Sequence, residues 1–200
     1  MVIFENKDLF DDIGEYDVIL IGTNIYCNLS QGLQRKVMLN YPFVQDKNMS
    51  TKYGDEKKLG TILECKEENS PIFVLMYINR GNFRPDISKE YLDYEALENS
   101  LKLVNILYKN KKIASTVLGN SRFEGYGNKD KILKMMSDFL PDVDLTVYDY
   151  EQLSRSEELK KTRERELKIK ETDIDAYYEA VKQRKMEADE RFKNNGHARY

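Results

Sequence analysis

Continuous apolar runs recur along the first 150 residues of the chain, and polar or glycine residues follow each of them. The run "DVILIGT" at 17–23 is almost wholly apolar, as expected for a strand that is buried on both faces. Other runs also predict strands, with turn residues between them. They are "LGTILEC" (59–65), "IFVLMYIN" (72–79), "KIASTVLGN" (112–120) and "DLTVYDY" (144–150).

Apolar residues at helical spacing occupy the segments between these runs. In "SQGLQRKVMLNYP" (30–42), Leu33, Val37 and Leu39 predict a helix that Pro42 stops. Two further segments predict helices: "YLDYEALENSLKLVNILYKN" (91–110), with Leu97, Leu101, Val104 and Leu107 on one face, and "DKILKMMSDFLP" (130–141).

The alternation of strands and helices predicts the fold class. It indicates an α/β sandwich whose sheet is mixed and largely parallel. Because the run at 17–23 is apolar on both faces, we expect this strand near the centre of the sheet. A change in composition near residue 150 divides the chain into a domain at 1–150 and a charged extension at 151–200.

The extension is predicted to be one long helix, since it has no glycine or proline before Gly196. It carries 13 basic and 12 acidic residues. A narrow apolar seam runs along it at seven-residue spacing, formed by Leu167, Ile174, Val181 and Ala188. Lys170 and Lys185 interrupt the seam, so the coiled-coil pattern is weak. Docking on its own domain, self-association or a protein partner through residues 151–193, and a solvated helix all remain open.

Composition and charge exclude several classes of protein. No apolar run approaches the ~20 residues that cross a bilayer, and "MVIFENKDLF" has charges where a secretory signal is apolar. Cys27, Cys65 and His197 are too few for a conventional zinc cluster. The formal net charge of −3 is not the excess of basic charge that non-specific nucleic-acid binding needs. We therefore expect a reduced, cytoplasmic protein with no metal, resident cofactor, membrane or nucleic-acid partner.

Three loops after predicted strands have the composition of ligand-binding loops. They are "GTNIYCNLSQG" (22–32), "INRGNFRP" (78–85) and "GNSRFEGYGN" (119–128). Ligands of open α/β sheets sit at the carboxyl ends of strands, where loops and helix N-termini present backbone N–H groups. Glycines let the backbone approach a pyrophosphate closely. Loops of this kind are usually ordinary turns, so only the three together indicate a site.

The order of the segments resembles a macro domain, the ADP-ribose-binding fold, over residues 2–150. The closest branch removes terminal ADP-ribose or processes ADP-ribose 1″-phosphate. The resemblance implies a macro-like three-layer sandwich with the long C-terminal helix attached. It rests on these motifs in this order: "KDLF" (7–10), "TNIYCNLSQGLQRKV" (23–37), "KKLGTILEC" followed by "PIFVLMYIN", "YLDYEALENSLKLV" and "LGNSRFEGYG".

The resemblance also implies a site for ADP-ribose or an ADP-ribosylated molecule. Asp8 would bind the adenine amino group, Asn24 the distal ribose, and the loops 28–32 and 119–125 the diphosphate. Arg122 would add a charged contact to phosphate and Phe123 would cover the distal ribose, with a surface arginine and a packing aromatic as the ordinary alternatives. The implied set is Asp8, Asn24, Asn28, Gly32, Gly119, Asn120, Ser121, Arg122, Phe123 and Gly125.

The chain departs from the family pattern in its glycines and in its catalytic groups. The first loop has only Gly32 where the family often has several, and Gln31 or Gln34 is expected to narrow the groove. Asn79 and Arg80 stand where the branch has its lysine. A guanidinium stays protonated and forms no covalent adduct with a ribose carbonyl.

Glu124 is the candidate general base, with a solvated loop carboxylate as the ordinary alternative. Ser121 and Cys27 have no histidine to activate them, since His197 lies in the extension. The sequence therefore predicts nucleotide binding with little or no hydrolysis. Two alternatives stay open: a ligand-free macro-like scaffold that acts in protein assembly through its C-terminal helix, and an unrelated nucleotide enzyme.

Overall fold

Six strands form one mixed sheet in the computed structural model of the chain, which describes residues 2–5, 8–29, 32–81, 90–121 and 124–149. They are β1 (Val2–Glu5), β2 (Val18–Asn24), β3 (Ile62–Cys65), β4 (Ile72–Asn79), β5 (Lys112–Thr116) and β6 (Asp144–Tyr148). Their order across the sheet is β1-β6-β5-β2-β4-β3. Neighbouring strands are parallel except for β3 and β4, which are antiparallel.

β2 lies inside the sheet between β5 and β4, as the apolar run at 17–23 predicts. All of its residues are buried. Its register with β4 runs from Val18 beside Ile72 to Thr23 beside Tyr77. A strand covered on both faces and paired along its length needs an apolar sequence without alternation, which explains the pattern.

Two helical layers cover the sheet, one on each face. The helices are α1 (Gly32–Asn40), α2 (Pro42–Met49), α3 (Tyr94–Leu107) and α4 (Lys129–Phe139). α1 and α2 pack on the face that carries Ile19 and Ile21, while α3 and α4 pack on the face of Val18 and Leu20. Successive residues of a strand point to opposite faces, so β2 contributes to both apolar cores. This arrangement confirms the predicted three-layer α/β sandwich.

The first predicted helix is followed at once by a second, which the sequence prediction missed. Pro42 ends α1 but also begins α2, because the first turn of a helix does not need the N–H group that proline lacks. Leu39 was expected on the buried face, yet it is 66% exposed. α1 instead turns Gln34 and Val37 toward the core.

α3 buries most of its predicted apolar face. Leu97, Leu101 and Val104 are fully buried against the sheet. Leu107 is 60% exposed and does not belong to this face. It is the last residue of the helix, and Tyr108 takes the buried position at this end.

The predicted C-terminal helix, with its apolar seam, lies outside the described residues. Its roles in docking or self-association and the division of the chain at residue 150 therefore stay predictions. Within the described ranges, no helix combines the length and the apolar run that would let it cross a membrane.

Replacing Leu101 with alanine is expected to lower the free energy of unfolding by about 2–5 kcal/mol, because its side chain is fully buried. Leu107→Ala on the same helix is the matched control and should stay within about 0.5 kcal/mol of the parent. Urea denaturation followed by circular dichroism measures both values. Equal losses in the two variants would contradict the assignment of the buried face.

Candidate functional site

The carboxyl ends of β2 and β5 meet where the chain leaves neighbouring strands in opposite directions. After β2 it enters α1 on one face of the sheet, and after β5 it enters α4 on the other face. Such a switch point leaves a crevice at the carboxyl ends of parallel strands, where ligands of open α/β sheets bind. The described residues of the loop after β2 (25–29) and of the loop after β5 (117–121 and 124–128) border this crevice.

β2 and β5 are paired only over the first part of β2. Their pairing extends only to Leu20 beside Ser115. Beyond this point the Gly22 carbonyl accepts a hydrogen bond from Gln34 Nε2 at 2.5 Å. Gln34 is buried, so α1 supplies a donor to the strand end and satisfies a buried backbone group. The sequence suggested a bulky side chain in the groove here, whereas the structure shows a buried structural amide.

Gly22 brings the backbone of β2 against the loop after β5. A β-carbon at this position would lie 2.7 Å from Ile78 Cδ1 and 3.2 Å from Glu124 Oε1. The first distance is shorter than real contacts allow, so glycine is needed here for close packing. The contact places the Glu124 carboxyl directly against the end of β2.

Two glycines shape the loop after β5. Gly119 has φ +78° and Gly125 has φ +130°, conformations that favour glycine. The neck of the loop is closed by Gly127 N–H, which donates to the Gly119 carbonyl at 2.9 Å, and by Asn120 Nδ2, which donates to the Gly127 carbonyl at 3.0 Å. A β-carbon on Gly119 or Gly125 would lie 2.5 Å from atoms of Leu92. Both the conformation and the packing therefore require glycine.

Among the described residues of this loop, Glu124 is the one with a carboxyl group, and this group is turned inward. The residue is 5% exposed, and its Oε2 accepts a hydrogen bond from Ser121 Oγ at 3.0 Å. Burial raises the pKa of Glu124 to about 7, although the Ser121 hydroxyl and the backbone N–H groups of Gly119 and Ser121 favour the charged form. The alternative of a solvated loop carboxylate is therefore wrong.

Asn79, at the end of β4, connects the two sides of the crevice. Its Nδ2 donates to the Glu124 carbonyl at 2.9 Å, and its Oδ1 accepts from Gly81 N–H at 2.7 Å. Its neighbour in β2 is Asn24, at a bulge where the register of the two strands shifts. The sequence analysis noted only that Asn79 stands where the branch has a lysine. It did not predict the hydrogen bond from Asn79 to the Glu124 carbonyl.

Arg80 points away from this hydrogen bond. Its Nε lies 3.0 Å from Glu56 Oε2, and its Nη1 lies 2.8 Å from Asp93 Oδ2. The side chain is exposed, so two surface carboxylates account for its charge. Arg80 is thus held by ion pairs outside the crevice.

The loop after β2 begins with a turn made by Asn24. Asn24 Oδ1 accepts from Tyr26 N–H at 3.0 Å, and its Nδ2 donates to the Asn28 carbonyl at 3.2 Å. The asparagine side chain therefore replaces backbone partners across the turn. Gly32 then starts α1 with φ +54°. The structure thus joins Asn24 and Asn28 in one loop and places Gly32 at the helix start that follows it.

Asp8 lies in the segment before β2 and contacts α1. Its carboxylate accepts from Phe10 N–H at 3.1 Å and forms an ion pair with Lys36 of α1. Burial alone would raise the pKa of Asp8, but Lys36 and the Phe10 N–H outweigh burial and lower it. Asp8 is therefore an ionised acceptor at neutral pH, and its side chain is still 30% exposed.

Some of the remaining expected site residues are described by the structure and others are not. Gly119, Asn120, Ser121, Glu124 and Gly125 all belong to the loop after β5. Arg122, Phe123 and Gln31 lie outside the described residues, so their expected contacts stay predictions.

Comparison with known proteins identifies the fold. No protein-family model matches the sequence, and no curated protein matches it. A protein of unknown function from Bacteroides thetaiotaomicron aligns with a TM-score of 0.59 at 16% identity, covering 74% of this chain and 98% of its own. A macrodomain protein from Streptomyces coelicolor has a TM-score of 0.56 at 16% identity, covering 75% and 99%.

A ligand-bound structure has the same fold. Thermosipho africanus DarTG in complex with ADP-ribose aligns with a TM-score of 0.56 at 15% identity, covering 74% of this chain and 41% of that one. At these identities the likeness concerns the fold. The chain has a macrodomain fold, as the order of its motifs predicts.

The raised pKa of Glu124 is expected to make stability depend on pH. The folded protein holds this proton more tightly than the unfolded chain, where the ordinary value is 4.5. The resulting stabilisation is fully present below pH 4.5 and is lost as the pH rises to about 7. Relative to Glu124→Gln, the parent should lose up to about 3 kcal/mol of unfolding free energy across this window.

Urea denaturation of the two proteins at a series of pH values measures this difference. Glutamine keeps the shape of the neutral carboxyl but does not titrate, so subtraction isolates the one group. The same pH dependence in both proteins would show that Glu124 titrates normally.

Proposed function

We propose that the crevice at the ends of β2 and β5 binds ADP-ribose or an ADP-ribosylated molecule. The observation that carries this proposal is the position of the two loops at the switch point of a macrodomain sheet. Thermosipho africanus DarTG, which has this fold, was solved in complex with ADP-ribose. Glycines with positive φ belong to the two bordering elements, Gly32 at the start of α1 and Gly119 and Gly125 in the loop after β5.

The adenine end of the ligand is assigned to Asp8. An ionised carboxylate only accepts hydrogen bonds and has several lone pairs. Phe10 N–H and Lys36 use part of this capacity. The partial exposure of the side chain leaves room for an exocyclic amino group to donate to it.

The distal ribose is assigned to Asn24. An amide has two N–H donors, and Asn24 uses one of them for the Asn28 carbonyl. The second can donate to a ribose hydroxyl without breaking the turn. Because the turn fixes the amide plane, this donor is oriented before the ligand arrives.

The diphosphate is assigned to the start of α1 and to the loop after β5. Asn28 and Gly32 flank the N-terminal end of α1, where the helix dipole and exposed N–H groups favour an anion. The loop after β5 would contact the diphosphate from the other side, through Gly119, Asn120 and Ser121. The proposed contacts of this loop also include Arg122 and Phe123. The Ser121 hydroxyl donates to Glu124, so a phosphate gains this donor most easily when Glu124 is protonated.

Binding without efficient hydrolysis is the function that we propose. Asn79 uses both ends of its amide inside the protein, and Arg80 is paired with two carboxylates. Neither side chain can replace the lysine amine of the branch that removes terminal ADP-ribose. The relation to that branch, including ADP-ribose 1″-phosphate processing, stays a hypothesis drawn from the order of the motifs.

Asp8→Ala is expected to weaken ADP-ribose binding by about 5- to 150-fold, since one buried polar contact contributes about 1–3 kcal/mol. Isothermal titration calorimetry of the full chain with ADP-ribose measures this change. Lys36→Gln is the matched control, because it breaks the ion pair with Asp8 but removes no assigned ligand contact.

The control separates loss of the carboxylate from loss of local structure. We expect Lys36→Gln to bind within a few-fold of the parent. Equal affinity of Asp8→Ala and the parent would overturn the adenine assignment. Absence of any heat with the parent protein would overturn the proposed function and favour the ligand-free scaffold.

Little or no release of terminal ADP-ribose is expected from a modified protein substrate. The physical reason is that Asn79 and Arg80 supply no nucleophilic amine. Release of ADP-ribose, followed by chromatography, should be at the background rate for both the parent and Glu124→Gln. Turnover by the parent that Glu124→Gln abolishes would instead make Glu124 a general base.

A further inference from the structure

The thiol of Cys27, in the loop after β2, lies close to an amine and a hydroxyl of another segment. Lys58 Nζ lies 3.1 Å from Cys27 Sγ and 3.1 Å from Thr51 Oγ1. The sulfur and the hydroxyl oxygen are 3.3 Å apart. These three residues form a closed triangle of contacts that the proposed nucleotide site does not use.

Further contacts fix each corner of this triangle. Thr51 Oγ1 donates to the Asn48 carbonyl at 2.7 Å, so the thiol is the donor toward Thr51. Lys58 Nζ lies 4.8 Å from the centre of the Tyr77 ring, and Tyr77 donates to Asn48 Oδ1 at 2.9 Å. Cys27 is buried and has φ +56°, a backbone conformation that residues other than glycine rarely adopt. The sulfur is thus held against the amine.

A pocket borders one member of this group, Cys27. It has a volume of about 300 Å³ and is lined by Cys27 together with Tyr26, Leu29, Gln45, Met49 and Tyr53. A water molecule occupies roughly 30 Å³ in the liquid, so a molecule of peroxide size fits easily. Such a molecule can therefore occupy the space beside Cys27.

The other cysteine has a different environment. Cys65 is buried, and its sulfur lies 4.0 Å from the Val44 carbonyl oxygen. Burial raises the pKa of the Cys65 thiol to about 11. A thiol that stays protonated in apolar surroundings is unreactive. At Cys27, by contrast, the Lys58 amine nitrogen lies 3.1 Å from the sulfur, so the two thiols have different neighbours.

We propose that Cys27 and Lys58 form a reversible covalent cross-link when the protein meets a peroxide. The Cys27 thiolate attacks one peroxide oxygen, the O–O bond breaks, and sulfenic acid and water form after proton uptake. Lys58 then loses its ammonium proton to water, its amine attacks sulfur, the S–O bond breaks, and the hydroxyl leaves as water with a second amine proton. The product is an S–N bond, a sulfenamide. In total, the thiol, the amine and one peroxide give the cross-link and two waters.

The cross-link connects the loop after β2 with the 3-10 turn Glu56–Lys58. Attack of one external thiol on the Cys27 sulfur breaks the S–N bond, returns the amine and leaves a mixed disulfide. A second thiol reduces this disulfide, so a thiol reductant reverses the reaction. Because Cys27 lies between Asn24 and Asn28, oxidation fixes the same loop that borders the crevice. The readouts below need no nucleotide, so they do not depend on the proposed function.

The test is to treat the full chain with hydrogen peroxide and to record intact mass and proteolytic peptides. We expect a loss of two hydrogens, about 2 Da, and a linked pair of peptides that contain Cys27 and Lys58. A thiol reductant should restore both the mass and the separate peptides. Gain of oxygen at Cys27 with no linked peptide would overturn the proposal.

Two variants distinguish the S–N bond from a disulfide, which causes the same mass change. Cys65→Ser should cross-link like the parent, since Cys65 takes no part. Lys58→Arg keeps the positive charge but has no free amine, so it should give no linked peptide. Loss of the cross-link in Cys65→Ser, or its persistence in Lys58→Arg, would overturn the assignment.

Discussion

The separation of β2 from β5 is the constraint on which the crevice depends. β2 is held along its length by β4, so the strands can part only on the other side, where pairing ends at Leu20 and Ser115. A buried strand end must still satisfy its backbone groups. Gln34 supplies a donor to Gly22, and the absence of a side chain at Gly22 lets Glu124 approach. One strand therefore determines where both bordering loops lie.

Buried polar groups then fix the loop after β5 on the sheet. Asn79 bonds the Glu124 carbonyl, and the Glu124 side chain bonds Ser121. Each bond is worth only about 1 kcal/mol net, but leaving a buried partner unsatisfied costs more. These contacts favour one loop arrangement before any ligand binds. A preformed site avoids part of the ordering cost that weakens association.

Sequence reasoning predicted the fold better than the details of the site. Strands such as β2 are visible because burial on both faces imposes an apolar run. The second helix was missed because Pro42 signals both an end and a beginning. The burial of Glu124 depends on Gly22 of a distant strand, and no local pattern reveals such a contact. Asn24 and the glycines occupy turns, which impose local chemistry that a sequence shows, whereas their contacts with a ligand stay predictions.

The loop after β2 shows how local and distant interactions combine. Asn24 organises its first turn through bonds to residues two and four positions away. Cys27 then adopts a left-handed conformation, which is unfavourable by about 1 kcal/mol for a residue with a β-carbon. Contacts from Thr51 and Lys58, which belong to a different segment, hold its side chain in place. Asn24 and Cys27 thus belong to one short turn, so a change at that sulfur acts on the backbone that carries the proposed ribose contact.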